Sequence, residues 1–145
     1  MTQHSDLELA SELRTLFTRL IKKLRKESVT GQHLSLTERS TMSLLYQNKQ
    51  LLPSELAASE KITNQSMSQI LNHLLELGYI NRTASDIDKR KVLISLTKTG
   101  EETLLRVRAE RDEWLAKAIS GSCNEEEISL LKKMMGPLNR IIDHE

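Results

Sequence analysis

The stretch PSELAASEKITNQSMSQILNHLLELG, residues 53–78, decides how this chain is read. Pro53 marks the first turn of a short helix, Pro53–Glu60, because the N–H it lacks is one that a helix start leaves unpaired anyway. Ile62 and Thr63 form a tight connection, and the Thr63 side chain is suited to cap a second helix. That helix, predicted over Asn64–Leu77, ends at Gly78, the residue that most easily takes the left-handed conformation past a helix terminus. At 100° per residue, Met67, Leu71, Leu74 and Gly78 gather on one side of it. Gln65, Gln69, Asn72 and Glu76 fall opposite, with Ser66 and His73 beside them. The apolar side can pack on the first helix through Leu56 and Ala57, which leaves the polar side free to enter a major groove. There Gln and Asn can pair bidentately with adenine, and Ser can bond a donor or an acceptor. An ordinary surface helix with a solvated outer face fits the same periodicity, so this helix does not decide the matter alone.

The residues that follow break the tie. Ile80–Ala84 and Val92–Leu96 read as two strands, the second with Val92, Ile94 and Leu96 on one face. Between them Ser85–Lys91 is a charged hairpin tip that includes Asp86, Asp88, Lys89, Arg90 and Lys91. Such a tip is narrow enough to reach a minor groove, and Arg is the side chain that a narrow, negative groove attracts. Asp88 can orient the Arg90 guanidinium through a paired, forked hydrogen bond. Lys89 and Lys91 then meet phosphates and set the register. A solvated turn is the alternative, but directly after a helix-turn-helix the cluster points to a DNA-binding wing.

Working outward, Ser35 and Glu38 form a capping box that starts a helix through Met42, Leu45 and Tyr46, with Gln47–Gln50 as a polar link. Leu7–Lys26 carries Leu9, Leu13, Leu16, Leu20 and Leu24 at helical spacing, joined by Phe17 and Ile21, which predicts one wide buried face. Lys22, Lys23, Arg25 and Lys26 occupy its last turns, where cations suit the helix dipole, and Gly31 lies in the break beyond. Thr97 caps a long helix over Lys98–Ile119, with Glu101 and Glu102 near its positive end; Ser120–Asn124 is a turn. Glu125–Ile142 is the last helix, bent at Pro137. The fold expected is mainly α with a small two- or three-stranded β wing: a single domain, 1–145, with a winged helix-turn-helix over 35–97 and a helical dimerisation region from 1–34 and 98–145. Ile128, Leu131, Met135, Leu138 and Ile142, with Met134 and Ile141 beside them, add to the first helix more apolar surface than a small winged domain needs. A two-fold homodimer of interlocked terminal helices covers it and sets two recognition helices about 34 Å apart, one turn of duplex. An intramolecular helical cap is the alternative.

Composition bounds the function. A chain of 145 residues suits one domain with a single core. Lys plus Arg outnumber Asp plus Glu by only 21 to 20, which excludes a uniformly basic packaging protein and an acidic disordered one. The balance is uneven along the chain: residues 1–100 hold 14 Lys and Arg against 10 Asp and Glu, and residues 101–145 hold 7 against 10. The positive excess thus lies with the winged region and the first helix, the acidic excess on the helices expected to dimerise. Phe17, Tyr46, Tyr79 and Trp114 are the only aromatics, poor material for stacking single-stranded bases. No apolar run approaches a bilayer span and Met1–Asp6 is polar, so a cytoplasmic protein without membrane contact is expected. His4, His33, His73 and His144 are scattered, and none makes a metal-ligand spacing with another or with Cys123, the only cysteine. No phosphate-cradling glycine loop or nucleophile elbow is present. No enzyme, metal or cofactor is expected.

Ser54-Glu55-Leu56-Ala57, then Leu74 with Gly78-Tyr79-Ile80 and Arg82, then Asp88-Lys89-Arg90, then Leu96-Thr97 with Gly100 stand in an order that resembles the MarR family of bacterial and archaeal transcription regulators. The resemblance covers nearly the whole chain. It implies a homodimeric regulator, a repressor, bound to a pseudo-palindromic operator in double-stranded DNA and released by a small phenolic or anionic effector. On that reading Gln65, Ser66, Ser68, Gln69 and Asn72 read or probe bases with His73 beside them, Lys61 and Arg82 flank the helix, Lys89, Arg90 and Lys91 form the wing contact, and Asp88 orients Arg90. The sequence departs from the family where Gln69 and His73 replace frequent cations: no Lys or Arg lies between Asn64 and Glu76. Leu52 also replaces the usual capping Thr before Pro53. The family's effector lies between winged domain and dimer helices, where Phe17, Leu20, Tyr46 and Trp114 serve equally as pocket wall or plain core, so no ligand residue is assigned. Some relatives sense peroxide through a cysteine near the N-terminus; Cys123 lies elsewhere and reads as an incidental thiol. The competing function is a winged-helix interaction module that binds another protein or sequesters a regulator without specific DNA binding.

Overall fold

The computed structural model describes residues 3–145, with side chains from residue 5 onward; the beginning of the polar lead Met1–Asp6 and the His4 side chain lie outside the described residues. Among the described residues six helices and one hairpin follow in the order α1 (Gln3–Glu27), α2 (Leu36–Asn48), α3 (Pro53–Glu60), α4 (Asn64–Glu76), β1 (Ile80–Ala84), β2 (Val92–Leu96), α5 (Lys98–Ser122) and α6 (Glu125–Ile142). The predicted caps hold the helices. Ser35 accepts from the Glu38 amide while Glu38 accepts from the Ser35 amide, Thr63 accepts from the Ser66 amide, and Thr97 accepts from the Gly100 amide. Gly78 takes the left-handed conformation, φ 77°, just past the end of α4.

The core is centred on the α2–β2 segment and is completed by Leu34 before it and Leu104 after it. Leu34, Met42 and Leu45 meet Leu56 and Ala57 of α3, Met67, Leu71 and Leu74 of α4, Ile80 and Ile94 of the hairpin, and Leu104 of α5. β1 and β2 pair antiparallel with Ile80 opposite Leu96 and Ala84 opposite Val92. Of Val92, Ile94 and Leu96, Ile94 is fully buried, whereas Val92 is exposed because it lies toward the tip, beyond the core. A third strand is reduced to one antiparallel bridge, Leu51 with Ile94, closed by hydrogen bonds of 3.1 and 2.9 Å. It cannot lengthen in either direction. The next positions that could pair are Lys49, whose backbone is left-handed at φ 63°, and Pro53, which has no N–H.

Gly100 explains the Leu-Thr-x-x-Gly run. The Thr97 amide donates to Tyr79 O at 2.9 Å and the Thr97 hydroxyl to Gly78 O at 2.6 Å, which draws the start of α5 onto the end of α4. A Cβ at Gly100 would lie 2.1 Å from Tyr79 O and 2.9 Å from its carbonyl carbon, both backbone atoms that cannot swing aside. Gly100→Ala should therefore destabilise the chain by about 3 kcal/mol. A wild-type midpoint in urea denaturation would contradict this close approach.

One expectation is corrected at the ends of the chain and one is left open. Within the single chain the wide face predicted for α1 is only partly covered: Leu9, Leu16, Phe17, Leu20 and Ile21 are exposed and Leu13 and Leu24 half-buried, because α5 is the main element of the same chain that packs against α1. The predicted turn Ser120–Asn124 is shorter, since α5 continues to Ser122 and the Cys123 amide still bonds Ile119 O. Cys123, a half-buried free thiol, thus sits at the carbonyl end of α5, with Asn124 capping α6 behind it. Pro137 stands inside α6 without ending it, and no described residue of α6 is buried.

Candidate nucleic-acid interface

The turn between α3 and α4 is built around Lys61, whose backbone is left-handed at φ 56° and whose amide bonds the Ala57 and Ala58 carbonyls. This closes α3 in one residue and carries an exposed cation to the beginning of α4. Leu52 supplies no side-chain cap to α3, but its amide donates to Glu55 Oε1 at 2.9 Å, so half of a capping box survives the missing Thr. Met67, Leu71 and Leu74 pin the inner face of α4 against Leu56 and Ala57. With that face fixed, Gln65, Ser66, Ser68, Gln69 and Asn72 are all exposed on the outer one. The Ser66 hydroxyl oxygen lies 3.0 Å from Thr63 Oγ1, so it also belongs to the helix cap.

The wing is ordered by its own side chains. The Ser85 amide donates to Lys91 O at 2.9 Å, and the Ile87 amide donates to Ser85 Oγ at 3.2 Å. Asp88 Oδ1 accepts both the Arg90 amide at 3.1 Å and Arg90 Nε at 3.3 Å. The predicted fork, two guanidinium nitrogens on two carboxylate oxygens, is thus replaced by one oxygen gripping the backbone and the root of the guanidinium. Both terminal Nη groups remain outside that contact, and the Arg90 side chain is 92% exposed. Lys89 and Lys91 are exposed beside it. At the base of the wing Lys91 and Val92 share one groove with Pro53 and Ser54 of α3 and Asn64 and Ser68 of α4, so wing and helix present one continuous surface.

Two expected contact residues are already engaged. His73 donates through Nδ1 to Glu38 Oε2, which ties the third turn of α4 to the start of α2. Burial opposes the Glu38 charge, but hydrogen bonds from the Ser35 amide, from His73 and from the Ser35 side chain outweigh it and hold the carboxyl below its ordinary range. His73 therefore faces α2 rather than the outer face of α4. Asn72 accepts from Arg82 Nη2 through its Oδ1 at 2.7 Å. Sequence periodicity placed both residues on or beside the polar side; their partners, 35 and 10 residues away, left no local signal. Among the described residues no group of three His, Cys, Asp or Glu side chains is placed to hold a metal ion, and no helix is long and apolar enough to cross a membrane.

A helix-turn-helix whose second helix exposes Gln, Ser and Asn, followed by a hairpin with an arginine standing out at its tip, defines a winged helix-turn-helix protein. The comparisons agree. The model of the MarR family matches residues 34–92. The chain is 30% identical over 139 residues to an HTH-type transcriptional regulator of Mycobacterium bovis, covering 96% of each chain. A crystal structure of a candidate transcriptional regulator from Pseudomonas aeruginosa matches with a TM-score of 0.83 at 31% identity, covering 99% of this chain and 100% of that one. A mutant of MepR from S. aureus bound to an oligodeoxyribonucleotide shares the fold, with a TM-score of 0.71 at 19% identity over 92% of this chain and 97% of that one. The chain belongs to the MarR family and is an HTH-type, DNA-binding transcriptional regulator.

Proposed function

We propose that this regulator acts as a homodimer that occupies a pseudo-palindromic operator and represses by blocking access to it, until a small anionic effector releases it. The carrying observation is the uncovered apolar surface of the terminal helices. Leu9, Leu16, Phe17, Leu20 and Ile21 on α1, and Leu130, Met134, Met135, Ile141 and Ile142 on α6, are exposed in the single chain. An apolar surface of that extent at both ends of one chain suits a self-complementary, two-fold interface. Two recognition helices then face successive major grooves. Gln65, Ser66, Ser68, Gln69 and Asn72 meet base edges, Lys61, Lys89 and Lys91 meet phosphates, and Arg90 enters the minor groove with Asp88 holding its root.

The anionic effector is favoured by Arg39, a cation only 5% exposed. Its Nη2 donates to Gly31 O, while Nε and Nη1 find no partner among the described residues. Burial, together with Arg111 and Arg25 nearby, lowers its pKa below the ordinary guanidinium value. A buried guanidinium surrounded by like charges is stabilised by a carboxylate or phenolate placed against it, at the junction of α2 and α5 that couples winged region and terminal helices.

Binding to selected duplex DNA, titrated at two salt concentrations, tests the reading. The affinity should fall steeply, with a slope of log K on log salt near −0.9 per phosphate contact. No binding at low salt would favour the interaction module instead, which the near-neutral recognition helix also suits. Gln69→Ala should relax preference at one base pair by roughly 1–3 kcal/mol. Equal weakening on every sequence would show that Gln69 touches only the backbone.

A further inference from the structure

Arg82 and Asn72 belong to different elements, yet they meet on the exposed surface beside the outer face of α4. The register explains how. Ile80, Arg82 and Ala84 share one face of β1; Ile80 is buried, and Arg82 emerges on the same side where the core ends and the third turn of α4 begins. Its Nη2 donates to Asn72 Oδ1 at 2.7 Å. Arginine has donors only, so the amide oxygen of Asn72 must be the atom that faces it, and the Nδ2 donors turn outward. We infer that Arg82, held by Asn72, is a specificity-determining residue that selects guanine in the operator half-site. The inference rests on the proposal that α4 lies in the major groove.

The chemistry separates the bases. The pair offers the free Nη hydrogens of Arg82 and the Nδ2 hydrogens of Asn72, a cluster of donors carrying a positive charge. Guanine presents two acceptors in the major groove, O6 and N7, which match it. Adenine presents N7 beside the N6 amino group, and that donor would be pushed against the guanidinium. The bidentate Asn–adenine pairing expected of a free asparagine is therefore disfavoured at residue 72. The pair also answers the lack of any Lys or Arg within α4: β1 supplies the cation from outside the helix. Gln65 lies seven residues earlier on the same helix, about 10 Å along its axis and roughly three base-pair steps away, so it and the Arg82 unit address different bases.

Phosphate oxygens are acceptors too, and the experiment separates the two sources. Duplexes selected by the wild-type protein are resynthesised with 7-deazaguanine, which lacks N7, at each guanine in turn, and binding is measured for wild type, Arg82→Ala, Asn72→Ala and Arg82→Lys. The expected result is one guanine per half-site where 7-deazaguanine weakens the wild type by about tenfold. That sensitivity should vanish in Arg82→Ala and shrink in Asn72→Ala. Arg82→Lys should keep the salt slope but lose the discrimination, its affinity for the selected duplex falling to about that of the wild type on the 7-deazaguanine duplex. Both side chains are exposed, so the variants should keep wild-type thermal midpoints. A selected adenine at that position, or uniform weakening of Arg82→Ala on all sequences with every guanine equally tolerant, would overturn the inference while leaving DNA binding intact. Failure of the wild type to select any sequence would remove the recognition-helix reading and this contact with it.

Discussion

Arg90→Ala should weaken operator binding by roughly 30-fold or more while leaving assembly and thermal midpoint unchanged. The Arg90 side chain is 92% exposed and its one partner is Asp88, so its removal takes nothing from the core. An arginine placed in a groove is worth about 1–3 kcal/mol, and a homodimer loses two of them. The backbone half of the Asp88 contact, the Arg90 amide on Oδ1, survives in Arg90→Ala and keeps the tip in shape. Asp88→Ala is the complementary test. It frees both the amide and Nε, so the same loss in affinity should appear in smaller degree with the arginine still present. Unchanged dissociation constants for Arg90→Ala at moderate salt would show that the wing makes no contact with DNA.

If the proposed homodimer forms through α6, Met135→Glu should leave a chain that sediments near 16.6 kDa and should reduce operator affinity by at least about 100-fold. Met135 is 54% exposed in the single chain, so a glutamate there costs the isolated fold little. Buried in an apolar two-fold interface, the same carboxylate would lose its water without gaining a partner. The affinity loss follows from bivalency: two half-sites joined on one rigid dimer bind far more tightly than one, and a recognition helix without cations depends on that gain. Circular dichroism should show wild-type helix content. A Met135→Glu protein that remains dimeric would move the interface away from α6.

The central elements were legible in the sequence because their signals are local. Pro53, Thr63 and Gly78 delimit α3 and α4 within a few residues of the groups they cap, and the observed α4, Asn64–Glu76, differs from the prediction only at its last residue. The hairpin was equally plain, since Val92, Ile94 and Leu96 alternate directly after a charged tip. The end of α5 was not. Ser120, Gly121 and Ser122 are poor helix formers, yet the helix runs through them because the Cys123 amide reaches Ile119 O and Asn124 can cap α6 at once. Periodicity in α1 showed that one face is apolar but could not show what covers it, and the single chain covers it only in part. Candidate contact residues were legible as a face, not as hydrogen-bonded partners. The outer side of α4 could be read from residue spacing, whereas the ties from His73 to Glu38 and from Asn72 to Arg82 depend on how α2 and β1 pack beside it. Arg39 left no trace in the pattern, since a cation in a helix of Thr, Ser and Glu reads as solvated surface, and only the close approach of Gly31 to its guanidinium and its burial in the folded chain show that it is enclosed.

Chemical footprinting of the selected operator tests the central claim most directly, with guanine N7 reporting the major groove and adenine N3 the minor groove. A homodimer using α4 and the wing should protect two major-groove patches about 10 base pairs apart, centre to centre, with minor-groove protection beside each patch that disappears in Arg90→Ala. A single protected patch, or protection of the minor groove that persists without Arg90, would contradict the account.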